Sequence, residues 1–439
     1  MVRLTLPATQ PLNQQEWRDI STIISKRWPY WFATPPSSRE SAVAILASHL
    51  YSDFNGINPD SGYHVDDQNI EFWLTVTDRK ASQLILNVAI NALFNLQTKD
   101  NLEQQLAKVE RSIQLLHHKV APRHPDYQAR ILILAAIDQG INWQPDPNLS
   151  RWWHFSRGDE AKQFFETLPN SDPVFGLEQT NDKVVTAKTL RMIGLPAPKN
   201  DTISSLHEVQ QKVTHYPWPV VLKPSDRGKG KGVTTDIKNQ NQLAAAFTAA
   251  RQYSQKLLLE EQLAGDDYRL LVVRGKLVAA TLRTPPAVIG DGLSNITTLI
   301  MKLNRERQLD AVKRRYLKLI DPTDTAIVTY LKQTQLTLHS VPARGERVQL
   351  RGNANISTGG EPLDVLHRVH DHVAKLAIQT TTQFGLTIAG VDYMTTDLTM
   401  CWRESGGAIL EVNATPGLDL HIASGMDEVG LGKTILGFE

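Results

Sequence analysis

Ile409-Leu410-Glu411-Val412-Asn413-Ala414-Thr415-Pro416-Gly417 is the stretch that decides the fold. Its apolar residues predict a strand over 408–413, and a period of two sets Glu411 and Asn413 on one face while the Pro-Gly pair fixes the exit. Upstream, Ala389-Gly390-Val391-Asp392-Tyr393 places a further carboxylate in a second apolar strand. Two carboxylates and one amide oxygen form a hard-oxygen set suited to magnesium, which takes few protein groups and shares the phosphates of a substrate. Buried acids need partners, so pairing with Lys or Arg is the alternative use of the same residues.

Working towards the N-terminus, a strand over 219–224 ends at Lys223 and runs into Arg227-Gly228-Lys229-Gly230-Lys231-Gly232-Val233. Glycines allow a tight turn whose amides approach an anion, and Lys223, Lys229 and Lys231 supply charge for a polyphosphate. A solvated basic hairpin has the same composition, so context decides. That context is Leu257-Leu258-Leu259-Glu260-Glu261-Gln262-Leu263, followed by an acidic turn through Asp266 and Asp267. Backbone groups from Glu260 through Glu261 to Leu263 suit an adenine edge, and a carboxylate just beyond suits ribose hydroxyls. A charged surface hairpin is the bland alternative.

The region between these motifs reads as a small sheet with a helix over 240–251 and a hairpin pairing 268–273 with 276–282 across Arg274-Gly275. Helical composition over 183–193 ends at Gly194, Pro196 and Pro198, and another helix spans 366–384. The first third alternates strand-like and helix-like patterns. Ile70, Phe72, Leu74 and Val76 mark a strand, and Leu102, Leu106, Val109, Ile113 and Leu116 mark one stripe of a helix. Aromatic and charged residues around Trp152, Trp153 and Arg157 precede a boundary near Gly176, and those three side chains suit either a substrate entrance or an aromatic cluster.

The chain has 439 residues, enough for two to four compact units. Lys and Arg number 47 against 46 Asp and Glu, which gives no general attraction to nucleic acid or an anionic membrane, so anionic ligands must be held locally. One cysteine, Cys401, excludes an internal disulfide and a multi-cysteine zinc site and fits a reducing compartment, the cytoplasm by default. The N-terminus lacks the pattern of a signal peptide, and no apolar run approaches the roughly 18 residues of a membrane span.

Together the three constellations resemble the ATP-grasp superfamily, and longer strings resemble its cyanophycin synthetase family. The strings are Val341-Pro342-Ala343-Arg344-Gly345-Glu346-Arg347-Val348, Leu350-Arg351, Asn355-Ile356-Ser357-Thr358-Gly359-Gly360, Arg283, Gly290-Asp291-Gly292 and Glu404-Ser405-Gly406-Gly407-Ala408. They cover about 176–424. The resemblance implies an α+β fold, two subdomains clamping ATP over 176–439 with 217–275 as the small lid, preceded by an α+β domain over 1–175. It implies a carboxylate-amine ligase that forms an acyl phosphate and then an amide, using ATP and Mg²⁺ on amino-acid and peptide substrates, with aspartate as the family's parallel and a homo-oligomer as its assembly.

Residue by residue, the resemblance assigns Lys183 and Lys223 to the ATP phosphates, with Lys229, Gly230, Lys231 and Gly232 closing over them. Asp267 takes the ribose, Glu260, Glu261 and Leu263 frame the adenine, and Asp392, Glu411 and Asn413 hold the metal. Arg351 stabilises the transferred phosphoryl group, with Lys223, Arg283, Asn353 and Asn355 as further catalytic candidates. Arg283 and Ser357, Thr358, Gly359 and Gly360 contact the acyl phosphate or the amine. The family continues into a second, Mur-ligase-like domain, whereas this sequence stops at Glu439, so a single ligation is expected.

Three features read as decoys. Gly430-Leu431-Gly432-Lys433-Thr434 imitates a Walker loop, but Asp427 replaces its first glycine, so a short terminal helix is expected. His367, His370 and His372 are poorly spaced for one metal and read as a surface cluster, while Cys401 reads as packing. Two other functions stay open: a glutathione-synthetase-like ligase of small peptides, and a regulatory subunit that binds ATP without turnover.

Overall fold

In a computed structural model of the chain, residues 1–439 are described except 8–13, 56, 58, 76–78, 95, 97–100, 121–126, 150, 226–231, 353, 355 and 439. The contacts separate two units, Met1–Glu166 and Thr167–Glu439. The division falls before Gly176, which lies inside the Val174–Asn181 helix of the second unit, where an added Cβ would sit 1.9 Å from the Phe384 carbonyl oxygen.

In the first unit Asn69–Leu74 is the central strand between Val2–Pro7 and Ser61–Val65. Alternation buries Ile70, Phe72 and Leu74 against the helices; Val76 lies outside the described residues. The stripe read on the Leu102–Val120 helix is the buried one, with Leu102, Leu106, Val109, Ile113 and Leu116 all inside. Trp152 and Trp153 begin a strand, Trp152–Arg157, between Asn142–Pro145 and Glu160–Phe165, so these aromatics serve a small antiparallel sheet.

The second unit contains two larger antiparallel sheets and a two-stranded one that pairs Ala287–Ile289 with Arg347–Gln349. In the four-stranded one, the small sheet, the order is Thr234–Ile237, Val220–Pro224, Leu257–Glu261, Asn200–Ile203. Val220, Leu222, Leu257 and Leu259 turn towards Leu243, Ala246 and Ala250 of the Gln240–Arg251 helix. Strand period therefore turns Lys223 and Glu260 to the opposite face. This sheet begins at Asn200 and ends at Glu261, not over 217–275, because Asp266–Val273 pairs with Ile388–Thr395 and enters the larger sheet.

That larger sheet has the order Glu361–Asp364, Lys276–Thr284, Asp266–Val273, Ile388–Thr395, Ala408–Asn413. Its hairpin across Arg274-Gly275 forms as the sequence predicts. One face packs Tyr268, Leu270, Val272, Val391 and Val412 on Val373, Leu376 and Ala377 of the Asp371–Gln383 helix. The other face carries Asp267, Arg269, Arg283, Asp392, Glu411 and Asn413. Between strands of this sheet an insert folds around its own core of Val288, Leu299, Ile300, Ile327, Leu331, Val348 and Leu350. The Walker-like tail is a helix, Glu428–Leu436, capped by Asp427, which accepts from Val429 N and Gly430 N. No helix among the described residues is long and apolar enough to cross a membrane.

The two larger sheets of this unit join through Gly265, whose φ of +120° only glycine adopts readily, and where an added Cβ would lie 2.1 Å from the Thr395 carbonyl oxygen. Gly265→Ala should cost about 2–3 kcal/mol of unfolding free energy from backbone strain and displacement of the strand end. Urea denaturation of the full chain measures it, and an unchanged midpoint would refute the constraint.

Candidate active site

Register builds the polar face of the large sheet. Arg269 pairs with Asp392 across one strand boundary and Asp392 with Glu411 across the next, while Gly390 faces Asn413. Gly390 lacks a side chain where one would strike Arg269, its ideal Cβ lying 2.7 Å from Arg269 Nη1. The Arg269 Nε donates to Asp392 Oδ1, and Arg283 Nη2 reaches the same oxygen at 2.7 Å and Asp267 Oδ1 at 3.0 Å. At the outer strand Lys183 Nζ lies 3.4 Å from Glu411 Oε2. Lys183 is delivered by a helix, Lys183–Met192, whose first turn is capped by Asp182.

Three carboxylates and three cations thus stand on one face, Lys183 with Glu411 at the outer strand and Asp392 with Asp267, Arg269 and Arg283 on the strands beside it. Burial alone would raise Asp392, but the guanidiniums of Arg269 and Arg283 outweigh it and hold the carboxyl below its usual range. Burial opposes the charge of Arg283 as well, yet Asp392 and Asp267 raise its pKa. Asp267 is raised by burial and by the like charge of Asp392, against the pull of Arg283.

Asp392, Glu411 and Asn413 therefore share a face as expected. Asp392 also has the arginine partners that the alternative reading required. The Asn413 amide nitrogen donates to the Gly390 carbonyl at 3.3 Å, which leaves its oxygen as the outward acceptor. Among the described residues no group of three or more His, Cys, Asp or Glu could hold a metal, so an ion here would need the Asn413 oxygen and ligands of its own. The donor chemistry suits a hard cation of that kind.

Lys223 and Glu260 meet on the open face of the small sheet, Nζ to Oε1 at 2.7 Å. Glu260 is thus the counterion of Lys223. Its strand is flanked on both sides, by Val220–Pro224 and Asn200–Ile203, so the backbone through Glu261 serves the sheet, and the segment from Gln262 and half-buried Leu263 lies beyond that pairing. Glu261 Oε1 accepts from Lys199 N at 2.9 Å. Lys229, Gly230 and Lys231 lie outside the described residues, as do Asn353 and Asn355. Gly232 has φ +71° and packs against Tyr253, 2.8 Å from an ideal Cβ.

Arg351 departs from expectation. Its Nη2 lies 2.6 Å from Asp324 Oδ2, and it lines a shallow depression with Thr325, Thr329 and Tyr330 in the insert. Asp324 caps the Thr325–Gln333 helix through its other oxygen, which accepts from Ala326 N, and so holds the arginine beside that helix. Its ion pair is thus with the insert and not with the group around Asp392. Thr358, Gly359 and Gly360 belong to a tight turn after the insert, in which Gly359 N donates to the Ile356 carbonyl; the Ser357 side chain is outside the described residues. The histidines behave as surface and capping groups: His370 caps the Asp371–Gln383 helix, and His372 Nδ1 lies 3.1 Å from the Cys401 sulfur.

Sequence reasoning missed Arg269 and His421. The signal for Arg269 was an arginine in the otherwise apolar Tyr268–Val273 run, which demands a buried counterion. His421 gave no signal. It is fully buried, its Nδ1 is 2.7 Å from Thr281 Oγ1, and its Nε2 finds no hydrogen-bond partner. Burial, and then the charges of Arg269 and Arg283, push its pKa down to about 3.

Because the folded value lies below that of the unfolded chain, the unfolded state takes up the proton first as pH falls. His421 therefore costs stability below about pH 6.5, by about 1.4 kcal/mol per pH unit until its folded value is reached. Denaturation curves should show that His421→Gln removes about 2 kcal/mol of the loss between pH 6.5 and 5. Parallel pH dependences for the two proteins would exclude a buried neutral imidazole.

Known proteins share parts of this sequence and its fold. The family model described as the D-ala D-ala ligase C-terminus matches residues 190–284. Cyanophycin synthetase of Trichormus variabilis is 36% identical over 267 residues, 61% of this chain and 30% of that protein. The glutathione biosynthesis bifunctional protein GshAB of Mannheimia succiniciproducens is 29% identical over 311 residues, 68% of this chain and 40% of that protein. The crystal structure of a bifunctional glutathione synthetase from Pasteurella multocida superposes with a TM-score of 0.55 at 20% identity, covering 91% of this chain and 68% of the other. The chain spans less than a third of the length of the cyanophycin synthetases it matches. It is a sequence relative of the cyanophycin synthetases and carries the ATP-grasp fold.

Proposed function

We infer that the chain is an ATP-dependent carboxylate-amine ligase that forms an amide or peptide bond through an acyl phosphate. The observation that carries this reading is the sharing of one open face of the large sheet by the Lys183–Glu411 pair and the neighbouring Asp392, Arg283 and Asp267. Cations and oxygen donors from separate segments meet there, as a nucleotide triphosphate requires. Lys183 and Lys223 serve the phosphates, Asp267 the ribose, and Arg283 with the 357–360 turn the reacting carboxylate or amine. Magnesium, held by Asp392, Glu411 and Asn413, would offset phosphate charge.

In the first step a carboxylate oxygen bonds to the γ-phosphorus as the bond to ADP breaks. In the second, an amine nitrogen bonds to the acyl carbon, inorganic phosphate leaves, and the nitrogen gives up a proton. No protein nucleophile is needed. The protein's part is to hold positive charge where negative charge develops. The reading supports amino-acid or peptide substrates and a cytoplasmic homo-oligomer, following the family parallel. Arg351 serves this chemistry only if it leaves Asp324, and the Lys223–Glu260 pair must likewise share its lysine with a phosphate.

Phosphate release and product mass, measured with MgATP and a panel of amino acids and short peptides, test the proposal. A carboxylate-amine pair should stimulate release and yield the dehydrated adduct. Lys183→Met and Glu411→Gln should each lower kcat/KM by about 10²-fold, about 3 kcal/mol at the barrier, without loss of fold. ATP binding with no stimulation by any pair would instead establish a regulatory subunit, and a preference for γ-glutamyl dipeptides would establish the glutathione-synthetase-like alternative.

A further inference from the structure

Arg307 belongs to the Ile296–Leu309 helix of the insert, and its side chain is only 1% exposed. Its fork reaches two separate segments: Nη1 donates to the Lys318 carbonyl at 2.7 Å and Nη2 to the Gly359 carbonyl at 2.9 Å. Its carboxylate partner is Glu361, 3.5 Å from Nη2 and 41% exposed, and its Nε is buried without a hydrogen-bond partner. Three residues earlier in the helix, Asn304 clamps the same segment: its amide nitrogen donates to the Ile320 carbonyl and its oxygen accepts from Ile320 N, both at 2.8 Å. Ile320 in turn packs under Gly359, where an added Cβ would lie 2.6 Å from Ile320 Cγ1.

Burying a guanidinium is costly, and a long contact to a half-exposed carboxylate offsets little of that cost. Apolar side chains fill such space more cheaply, as Leu299, Ile300 and Leu331 do in the core of the insert. What an arginine adds is geometry. A rigid planar fork fixes two carbonyls at once, and so fixes the Gly359 turn relative to the 318–320 segment. The same helix lines a cavity of about 630 Å³ with Leu299, Lys302, Leu303 and Glu306, and Arg283 and Glu361 line it from the sheet. The helix that holds the turn therefore also borders the cavity that Arg283 lines, and these are the two candidate contacts of the reacting groups.

We propose that Arg307 is a positioning residue for the ligation: without touching substrate, it holds the 357–360 backbone where the acyl phosphate and the amine meet. The assignment rests on the ligase reading for its effect on turnover, whereas its hold on the turn does not. A helix of the insert thereby sets the efficiency of amide formation, and nucleotide binding stays with Lys183 and Lys223 on other elements.

Amide hydrogen exchange and steady-state kinetics of the full chain test it, using MgATP and the most active carboxylate-amine pair of the substrate panel. Arg307→Lys keeps the charge and loses the fork, and Arg307→Met loses both. In each, the Gly359 amide should exchange about tenfold faster or more, while amides of the Ile388–Thr395 strand keep their rates. Arg307→Lys should lower kcat/KM for the pair by about tenfold or more, with KM for MgATP within about twofold of the parent, and Arg307→Met should lower it further. Parent-like exchange at Gly359 in folded Arg307→Lys, or a rise in KM for MgATP equal to the loss for the pair, overturns the proposal. Loss of the whole fold in Arg307→Lys overturns it too, because the arginine would then serve stability alone. If exchange changes as expected and no pair stimulates phosphate release by the parent, the ligase reading fails while the hold of Arg307 on the turn stands.

Discussion

Asp392 is buried in the middle of a sheet, and a carboxylate there persists only if positive charge meets it. Arg269 from the adjacent strand and Arg283 from the next strand provide that charge, Arg283 at 2.7 Å. Removing either partner would leave a buried charge uncompensated, a loss of several kcal/mol in typical cases. The rest of the face follows from this requirement. Gly390 must be bare so that Arg269 can lie across it, and Arg283 in turn draws Asp267 into the same group. The conformation of the site is thus set by charge neutralisation in a sheet whose other face is committed to the hydrophobic core.

The small sheet applies the same rule with one pair. Its helix-covered face takes Leu222 and Leu259, so the opposite face receives Lys223 and Glu260, which neutralise each other at 2.7 Å. The pair is mostly buried, with side-chain exposures of 15% and 5%, so Lys223 does not move freely in solvent. A lysine held in this way is positioned before any anion arrives, and an anion must compete with Glu260 for it. On the proposed ligase reading, such competition favours a ligand of high negative charge, the property that separates a polyphosphate from a single carboxylate.

The strands that carry the acids were legible in the sequence because each alternates or runs apolar between turn residues, as Ile388–Thr395 and Ala408–Asn413 do. Partners were less legible than carriers. Asp392 shows in the sequence as an acid in an apolar strand, but its arginines come from strands more than a hundred residues away in the chain, and register alone joins them. Arg351 shows the converse limit: its motif is plain, yet Asp324, which fixes it, lies in a helix start with no distinctive pattern. The lid boundary failed for a topological reason, since Asp266–Val273 follows the small sheet in sequence but hydrogen-bonds to the large one.

The Ser-Thr-Gly-Gly turn shows how packing alone can fix a motif. Gly359 has φ +91°, and a Cβ there would come 2.6 Å from Ile320 Cγ1, so packing against the insert by itself demands glycine. The Gly359 carbonyl accepts from Arg307 Nη2 at 2.9 Å, while Nη1 of the same buried arginine donates to the Lys318 carbonyl at 2.7 Å. Arg307 also approaches Glu361, the first residue of the sheet-edge strand. The guanidinium therefore ties the turn to both the insert and the sheet, with no ligand involved. A turn anchored at its glycine also constrains the backbone just before it, and on the proposed ligase reading a constrained segment costs less to order around a reacting group than a mobile loop.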